Sequence, residues 1–599
     1  MKPQDLSKWT DIDGLEGLLV FAEAIDELLF DHTLDSFKSP ALNLHLSILE
    51  VRSLLMLLLS ERVYPESLKH AISELGYHLH HDPASPRPVP DVWAQYYDRL
   101  KDLGSNPKRL FHNADALLVD VGRRYWQTLK AAICSAVTRP REKKLIQSLA
   151  RAFTTESELL GFSKRYVYFE NQRFFFSKVY GPRKISDPSQ VADFLKRFEQ
   201  EPKKRKVVFR CTQRFTDFRD HSEVFGIRID TGPPEIGAIG PKVDEFLRPS
   251  ERFPGYAIVS LARARDELGA TSIARRRLDL FTDVCKFADH NAELEIQPTA
   301  LAADDDWQNT RVVKPAPNPM TCHALRSEVE ISSIVEQSTQ LLAGLHFGEG
   351  LRRAFQKVLE YHESALSAKS PENQLVSLWS CLEGFLPPPK DRISRIDAYL
   401  SALLPILTVT YSRKVLGEVA ACLKHTSSRV SDLVDGLEVA GEFEDKATAL
   451  LTCLEFDEQR KELGRLIDYS PLLRNRCFWC YDSFRSRKAV RSTLRMHIER
   501  LEWHIRRIYA TRNQIVHSAE CLPYVDTLVE NLHSYIDILI DSVVRTGKAA
   551  EQLAEIDTIL TVLRTHFETY LTMLSAGDEE CNLLNYQDIL YSGRLPSRD

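Results

Sequence analysis

No stretch of the chain is apolar for long enough to cross a bilayer. The two richest runs, GLLVFAEAIDELLF (17–30) and LEVRSLLMLLLSE (49–61), are each shorter than about 18 residues or interrupted by charge. Both read as core helices. The N-terminal MKPQDLSKWTDIDG lacks the apolar segment of a secretory signal. Eleven cysteines are odd in number and scattered, which suits a reducing cytoplasm without a disulfide framework. The one close pair, Cys477 and Cys480 in RCFWCY, lacks a second CxxC or an HxxxH partner, so it reads as buried helix cysteines rather than a metal site. No GxGxxG and no GxxxxGK[ST] is present, so no nucleotide cradle is visible by motif. Large net charge is also missing. At a formal -6 the chain has no global attraction for nucleic acid or membrane, and any such binding must come from a local patch.

What is present is an ordinary globular composition, 43% hydrophobic and 27% charged over 599 residues, enough for several domains. Residues 1–160 read as a helical N-terminal domain. Four prolines in HHDPASPRPVPDVW (80–93) break it. His78, His80 and His81 resemble a metal cluster by composition alone; without an acidic or Cys partner at helical spacing they read as a surface loop. Residues 161–320 form a mixed α/β domain of unknown role. RYVYFENQRFFFSKVY (165–180), KVVFRCTQRF (206–215) and YAIVSL (256–261) read as strands. DPSQVADFLKRFEQE (187–201) and ARRRLDLFTDVCKFADH (274–290) read as helices. KKRK (203–206) reads as a solvated strand end, and the polar, proline-rich 303–322 as a linker.

Beyond it the pattern is helical throughout. A helical domain is expected over 321–548, with PPPK (387–390) ending one of its helices and a helical insertion over 391–470, followed by a C-terminal helix and tail over 549–599. The fold class expected is mainly α with a central α/β domain and a C-terminal helical bundle.

One helix ends in an unexpected way. Leu494, Ile498, Leu501, Ile505 and Ile508 are spaced 4, 3, 4, 3, a single α-helical stripe. The same spacing next reaches Arg512 and Ile515. A guanidinium at a core position without a partner is strongly destabilising, so a partner is required. Asn513 and His517, four apart, share the adjacent face, and Pro523 implies that the helix stops near the imidazole. The approach is basic. Between Arg474 and Arg512 lie eleven Lys or Arg against three acids, a local +8 that suits a polyanion, with Arg506 and Arg507 as candidate RNA contacts. An acid is available in LVSLWSCLEGFL (375–386). There Leu375, Leu378, Leu382 and Phe385 form an apolar stripe, Glu383 borders it, and Trp379 sits one turn earlier.

These segments resemble the HEPN superfamily, in particular the Apea-like HEPN proteins of prokaryotic antiviral defence, over roughly residues 345–547. LVSLWSCLEGFL matches that family's apolar-Trp-apolar-Leu-Glu helix, and LEWHIRRIYATRNQIVHSAE (501–520) its Arg-Ile-Tyr…Arg-Asn-x-Ile-Val-His helix. Ala510 departs from it, standing where many relatives carry a basic residue. The resemblance implies a metal-independent endoribonuclease with no cofactor, working as a homodimer or higher even oligomer that pairs two motifs across a helical interface. His517 would transfer protons. Arg512 would hold the scissile phosphate and stabilise its transition-state charge, Asn513 would hydrogen-bond the imidazole or phosphate, and Glu383 would orient the pair. By analogy, the first 320 residues would sense a phage-derived trigger or restrain the nuclease. Two alternatives stay open: a catalytically silent interaction or dimerisation module, and a nucleic-acid-binding scaffold using the basic stretch alone.

Overall fold

The computed structural model describes residues 4–30, 42–60, 65–236, 240–321, 328–343, 348–386, 394–518, 523–549 and 555–591. The chain is mainly α, about 69% helical, with one five-stranded antiparallel sheet. It divides into two compact units. One comprises Met1–Ala152, Ser186–Pro188 and Pro319–Asp599, and the other Phe153–Ile185 and Ser189–Asn318.

In the first unit, helix α1 (Glu16–Leu29) is buried along almost its whole length, as its sequence predicts. Helix α2 (Leu44–Leu59) starts on Asn43, whose side chain accepts the Leu46 N–H at 2.8 Å, satisfying one of the free donors of the first turn. Helix α3 (Pro65–His81) follows. The helix Pro371–Phe385, here the tryptophan helix, opens on a Ser370 cap with proline at its first turn, where a missing N–H costs nothing. Leu375, Leu378, Trp379, Leu382 and Phe385 are all buried. The helix Arg487–Ser518, here the long helix, packs against α3, the tryptophan helix, and the helices Arg395–Val409 and Ile556–Ser575.

This packing corrects the expected domain division. The N-terminal helices are not a domain of their own, because residues 1–152 form one compact unit with 319–599, and α1 and α3 pack on helices of the C-terminal half. Helix α1 lies on the helix Pro471–Phe484, and its Glu23 accepts Ser470 Oγ at 2.8 Å and the Leu472 N–H at 2.9 Å. Nor is 549–599 an appendage, since Ile556–Ser575 is part of the same core. The segment 394–470 is helical as expected, and PPPK lies outside the described residues.

The second unit holds β1 (Lys203–Cys211), β2 (Ile227–Asp230), β3 (Gly255–Ala264), β4 (Ile296–Asp304) and β5 (Arg311–Val313), in the order β2-β3-β1-β4-β5. Val207 of the central strand faces Val259 and Ala302. One face of the sheet packs on the helix Glu267–Ala288 through Ala274, Leu278 and Phe281. The other packs on the short helix Pro241–Leu247. Lys203 and Lys204 are exposed at the strand's start, as KKRK implied.

Two expectations fail here. The segment 165–180 is not a strand. It is a helix, Lys164–Asn171, capped by Ser163 and continued by a π-turn over Gln172–Phe176. Phe174, Phe175 and Phe176 are all buried in that turn, so their burial is met by a widened helical turn where the richness in aromatic residues had suggested a strand. The segment 303–322 is only partly a linker, because Ala303 and Asp304 close β4 and Arg311–Val313 forms the edge strand β5.

Candidate functional site

The tryptophan helix and the long helix bring three of the four expected catalytic residues together. Arg512 Nη2 lies 3.5 Å from Glu383 Oε2, and Arg512 Nη1 donates to Asn513 Oδ1 at 2.9 Å. Glu383 Oε1 in turn accepts the Trp379 indole N–H at 3.2 Å. The partner demanded by the position of Arg512 is thus the acid at the edge of the neighbouring stripe. Arg512 is not fully inside. Its side chain is 22% exposed, while Thr511 and Gln514 take the buried positions on that turn.

His517 is exposed on the last turn of the long helix, which ends at Ser518. It stands one helical turn beyond Asn513 on the same side, about 6 Å along the axis. The imidazole there is exposed, and a guanidinium one turn back is braced from two directions.

The guanidinium of Arg512 is incompletely used. Its five N–H donors meet a 3.5 Å carboxylate contact and one amide oxygen, and its Nε is buried without a hydrogen-bond partner. The remaining terminal N–H groups are donors of the kind that phosphate oxygens accept.

Around this centre lies an aromatic wall that the sequence reading did not identify. Trp379 packs edge-on against Tyr399 at 5.6 Å and tilted against Tyr509 at 5.3 Å. Burial pushes the Tyr399 hydroxyl's pKa up, and the charge of Glu383 pushes it the same way. Tyr509 stands inside the quoted motif, so its presence was legible and its role was not. Tyr399 comes from a distant segment and left no local signal.

The expected RNA contacts are corrected. Arg507 does not reach solvent. Its side chain is 4% exposed, its Nε donates to Glu50 Oε1 at 2.7 Å, and its Nη2 is bound to Glu74. Burial pushes both carboxyls up. The Arg507 charge reverses this at Glu74, which ends lowered, but not at Glu50, which ends raised. Arg506 is 17% exposed and engaged by Asp397 at 2.7 Å and Glu502 at 3.0 Å.

The +8 of the stretch is therefore not a surface field. Arg474 pairs with Glu16, Arg476 with Glu27, Arg487 with Glu579 and Lys488 with Asp578. The compensating acids come from other segments, which a window on the sequence cannot see. Arg485, Arg491, Arg495 and Arg500 are the exposed remainder.

The two expected non-sites are also placed. His78, His80 and His81 lie on the last turn of α3 rather than in a loop, and His78 Nε2 is 3.7 Å from Glu74, four residues earlier. Cys477 and Cys480 are buried on the helix Pro471–Phe484, and burial pushes both thiols up, Cys480 to about 12. Among the described residues no three His, Cys, Asp or Glu side chains converge to hold a metal ion, and no helix is long and apolar enough to cross a membrane.

Comparison of the chain with family models, curated proteins and solved structures finds no match.

Proposed function

We propose that the chain is a metal-independent endoribonuclease of HEPN type, a toxic effector in antiphage defence, with Arg512, His517 and Asn513 in the reacting centre and Glu383 as a positioning residue. The observation that carries the reading is the half-buried Arg512. It is braced by Glu383 and Asn513 yet keeps donor capacity, one turn before an exposed histidine. RNA supplies its own nucleophile, the 2′-OH. As the 2′-oxygen bonds to phosphorus, the P–O5′ bond breaks. One proton leaves the 2′-oxygen and one joins the departing 5′-oxygen, giving a 2′,3′-cyclic phosphate and a 5′-hydroxyl. His517 serves the proton transfers, and Arg512 stabilises the charge that grows on the phosphoryl oxygens. A second copy of the chain brings a second Arg–His pair to the same cleft. The trigger expected from phage belongs to the regulation of this activity.

One observation favours a second reading, a silent helical module. The contacts that brace Arg512 also suffice for a purely structural ion pair, and the basic approach is largely consumed by internal pairs. Incubating the purified chain with RNA in EDTA separates the two. Cleavage that survives EDTA, leaves cyclic phosphate ends and disappears in His517→Ala supports the nuclease. RNA left intact by folded protein supports the module.

A further inference from the structure

The helix Glu267–Ala288 carries two apolar stripes, and the sheet covers only one of them. Asp266 starts it, its carboxylate accepting the Gly269 N–H at 2.6 Å. Ala270, Ala274, Leu278, Phe281 and Cys285, spaced 4, 4, 3 and 4, are buried in the core beneath the sheet. At about 100° per residue, Ile273, Leu280, Val284 and Phe287 fall on a second stripe roughly a third of a turn round the helix. All four are exposed, Phe287 to 85%. Val224 adds to them, 91% exposed on the turn Glu223–Phe225 that packs beside this helix. A helix lying on a sheet needs one apolar stripe and turns polar residues to solvent elsewhere. Soluble chains rarely leave a row of large apolar side chains uncovered.

Charge indicates what covers it. The helix holds four Lys or Arg against three acids, too even a balance to draw an anionic lipid surface or a nucleic acid. Along the exposed stripe the signs are divided. Arg276 and Arg277 lie on the N-terminal side of Leu280 and Asp283 on its C-terminal side, all three exposed. Arg275 is engaged by Asp279 at 3.0 Å. A face divided in this way is complementary to itself turned end for end. Parallel packing of two copies would set arginine beside arginine, whereas antiparallel packing sets the arginines of one copy toward Asp283 of the other. The apolar residues obey the same symmetry, because Ile273 and Phe287 each stand seven residues from Leu280.

We propose that this face is an interface between two copies of the chain, with the helices Glu267–Ala288 packed antiparallel about a two-fold axis at Leu280. Leu280 meets its own symmetry mate, Ile273 meets Phe287 of the second copy, and Asp283 meets the Arg276 flank of the second copy. Arg277, whose Nη1 donates to Ser260 O at 3.2 Å, lays its aliphatic stem against Val284 of the second copy. The interface does not rest on the nuclease reading, since this helix belongs to the sheet unit and Arg512 and His517 to the helical one. Where both two-fold contacts form, the assembly is larger than a dimer.

Sedimentation velocity on the full chain tests this. Leu280→Glu with Phe287→Glu sets carboxylates against carboxylates across the seam. The mass of the assembly should fall to half that of the wild type, whatever other contacts the chain makes, with an unchanged melting curve because both side chains are exposed. Leu280→Cys should be joined to a second copy by a short bis-maleimide far more efficiently than Val179→Cys, a still more exposed position of the same unit. Asp283→Arg should weaken self-association at least about tenfold, or roughly 1.4 kcal/mol, and adding Arg276→Asp should restore it. The proposal is overturned if the wild-type chain is monomeric throughout the concentration range, if the Leu280 and Phe287 changes leave the mass unaltered, if Leu280→Cys links no better than Val179→Cys, or if Asp283→Arg has no effect. RNA cleavage is read separately, and its absence counts against the nuclease reading while leaving this interface standing.

Discussion

Arg507 Nε donates to Glu50 Oε1 at 2.7 Å, and Glu74 binds the same guanidinium, so one buried cation ties the long helix to α2 and α3. Glu50 also accepts the Tyr524 hydroxyl at 3.3 Å. Truncating Arg507 leaves two buried carboxyls without their counter-charge. Arg507→Ala should lose about 3–5 kcal/mol of stability, read from urea denaturation. Arg507→Met combined with Glu50→Gln and Glu74→Gln should recover much of it. A triple variant as unstable as Arg507→Ala would mean that packing, not charge, sets the loss.

Glu23 gives a pH dependence of known sign. Burial pushes its carboxyl up to about 8, only partly offset by the bonds from Leu472 and Ser470. The folded chain therefore keeps a proton that the unfolded chain releases near its ordinary value of 4.5. With the folded state binding more protons, stability falls as pH rises from about 4.5 to about 8 and then levels. A shift of that size corresponds to roughly 5 kcal/mol. Glu23→Gln keeps a neutral side chain of the same shape, so it should flatten this portion of the profile and be the more stable protein at pH 8. Parallel denaturation midpoints for the two proteins across that range would show that Glu23 is ionised when folded.

How far the site was legible follows from these residues. The rule that a charge on an apolar stripe needs a partner found Glu383 for Arg512, because both lie in strongly periodic helices. Applied to Glu50 in LEVRSLLMLLL and Glu74 in AISELGYHL, it also signals buried acids and hence a buried cation. What it does not give is which cation, since Arg507 is more than four hundred residues away. The basic run misled for the same reason. Its charge is local in sequence, but its neutralising acids are local only in space. In the sheet unit, β1 and β3 were legible from β-branched residues. The short strands β2 and β5 carry too few residues to show a period, and three consecutive phenylalanines fit a buried π-turn as well as a strand.

Charge reversal separates the exposed arginines from the engaged ones. Arg491 and Arg495 are exposed on the long helix. If they meet RNA, Arg491→Glu with Arg495→Glu should weaken binding and reduce its salt slope by about one to two. Arg506→Ala should leave the slope unchanged, because Asp397 and Glu502 already hold that guanidinium. Filter binding over a range of salt concentrations reads both. A steeper dependence on Arg506 than on the exposed pair would show that RNA displaces the acids.

Glu383 is the residue by which positioning is tested. It touches Arg512 and Trp379, not the exposed histidine's solvent face. Glu383→Ala should lower kcat on RNA by about tenfold to a hundredfold, in the range of a lost orienting contact, with little change in KM. Glu383→Gln keeps an oxygen for Arg512 and should recover part of the rate. A purely structural pair predicts the reverse, a fall in melting temperature that tracks the loss of activity in both variants.

The assembly is the most demanding prediction. Cleavage by the 2′-OH needs a proton removed from the nucleophile, a proton delivered to the 5′-oxygen and stabilisation of charge at phosphorus. Each chain offers one His517 for the two proton transfers. A two-fold arrangement supplies two histidines and two arginines to one cleft, so the working unit should be a dimer or an even multiple of it. Mixing His517→Ala chains with Arg512→Ala chains tests this directly. Neither parent dimer has both residue types, whereas the mixed dimer has one intact His517 from one chain and one intact Arg512 from the other. Shared clefts predict cleavage above both parents when the subunits are allowed to exchange, and none of that gain when they are mixed without exchange. Light scattering should find a dimer or larger at the concentrations where RNA is cut. An active monomer, or a mixture no more active than its parents after proven exchange, would remove the composite site and leave each chain to act alone.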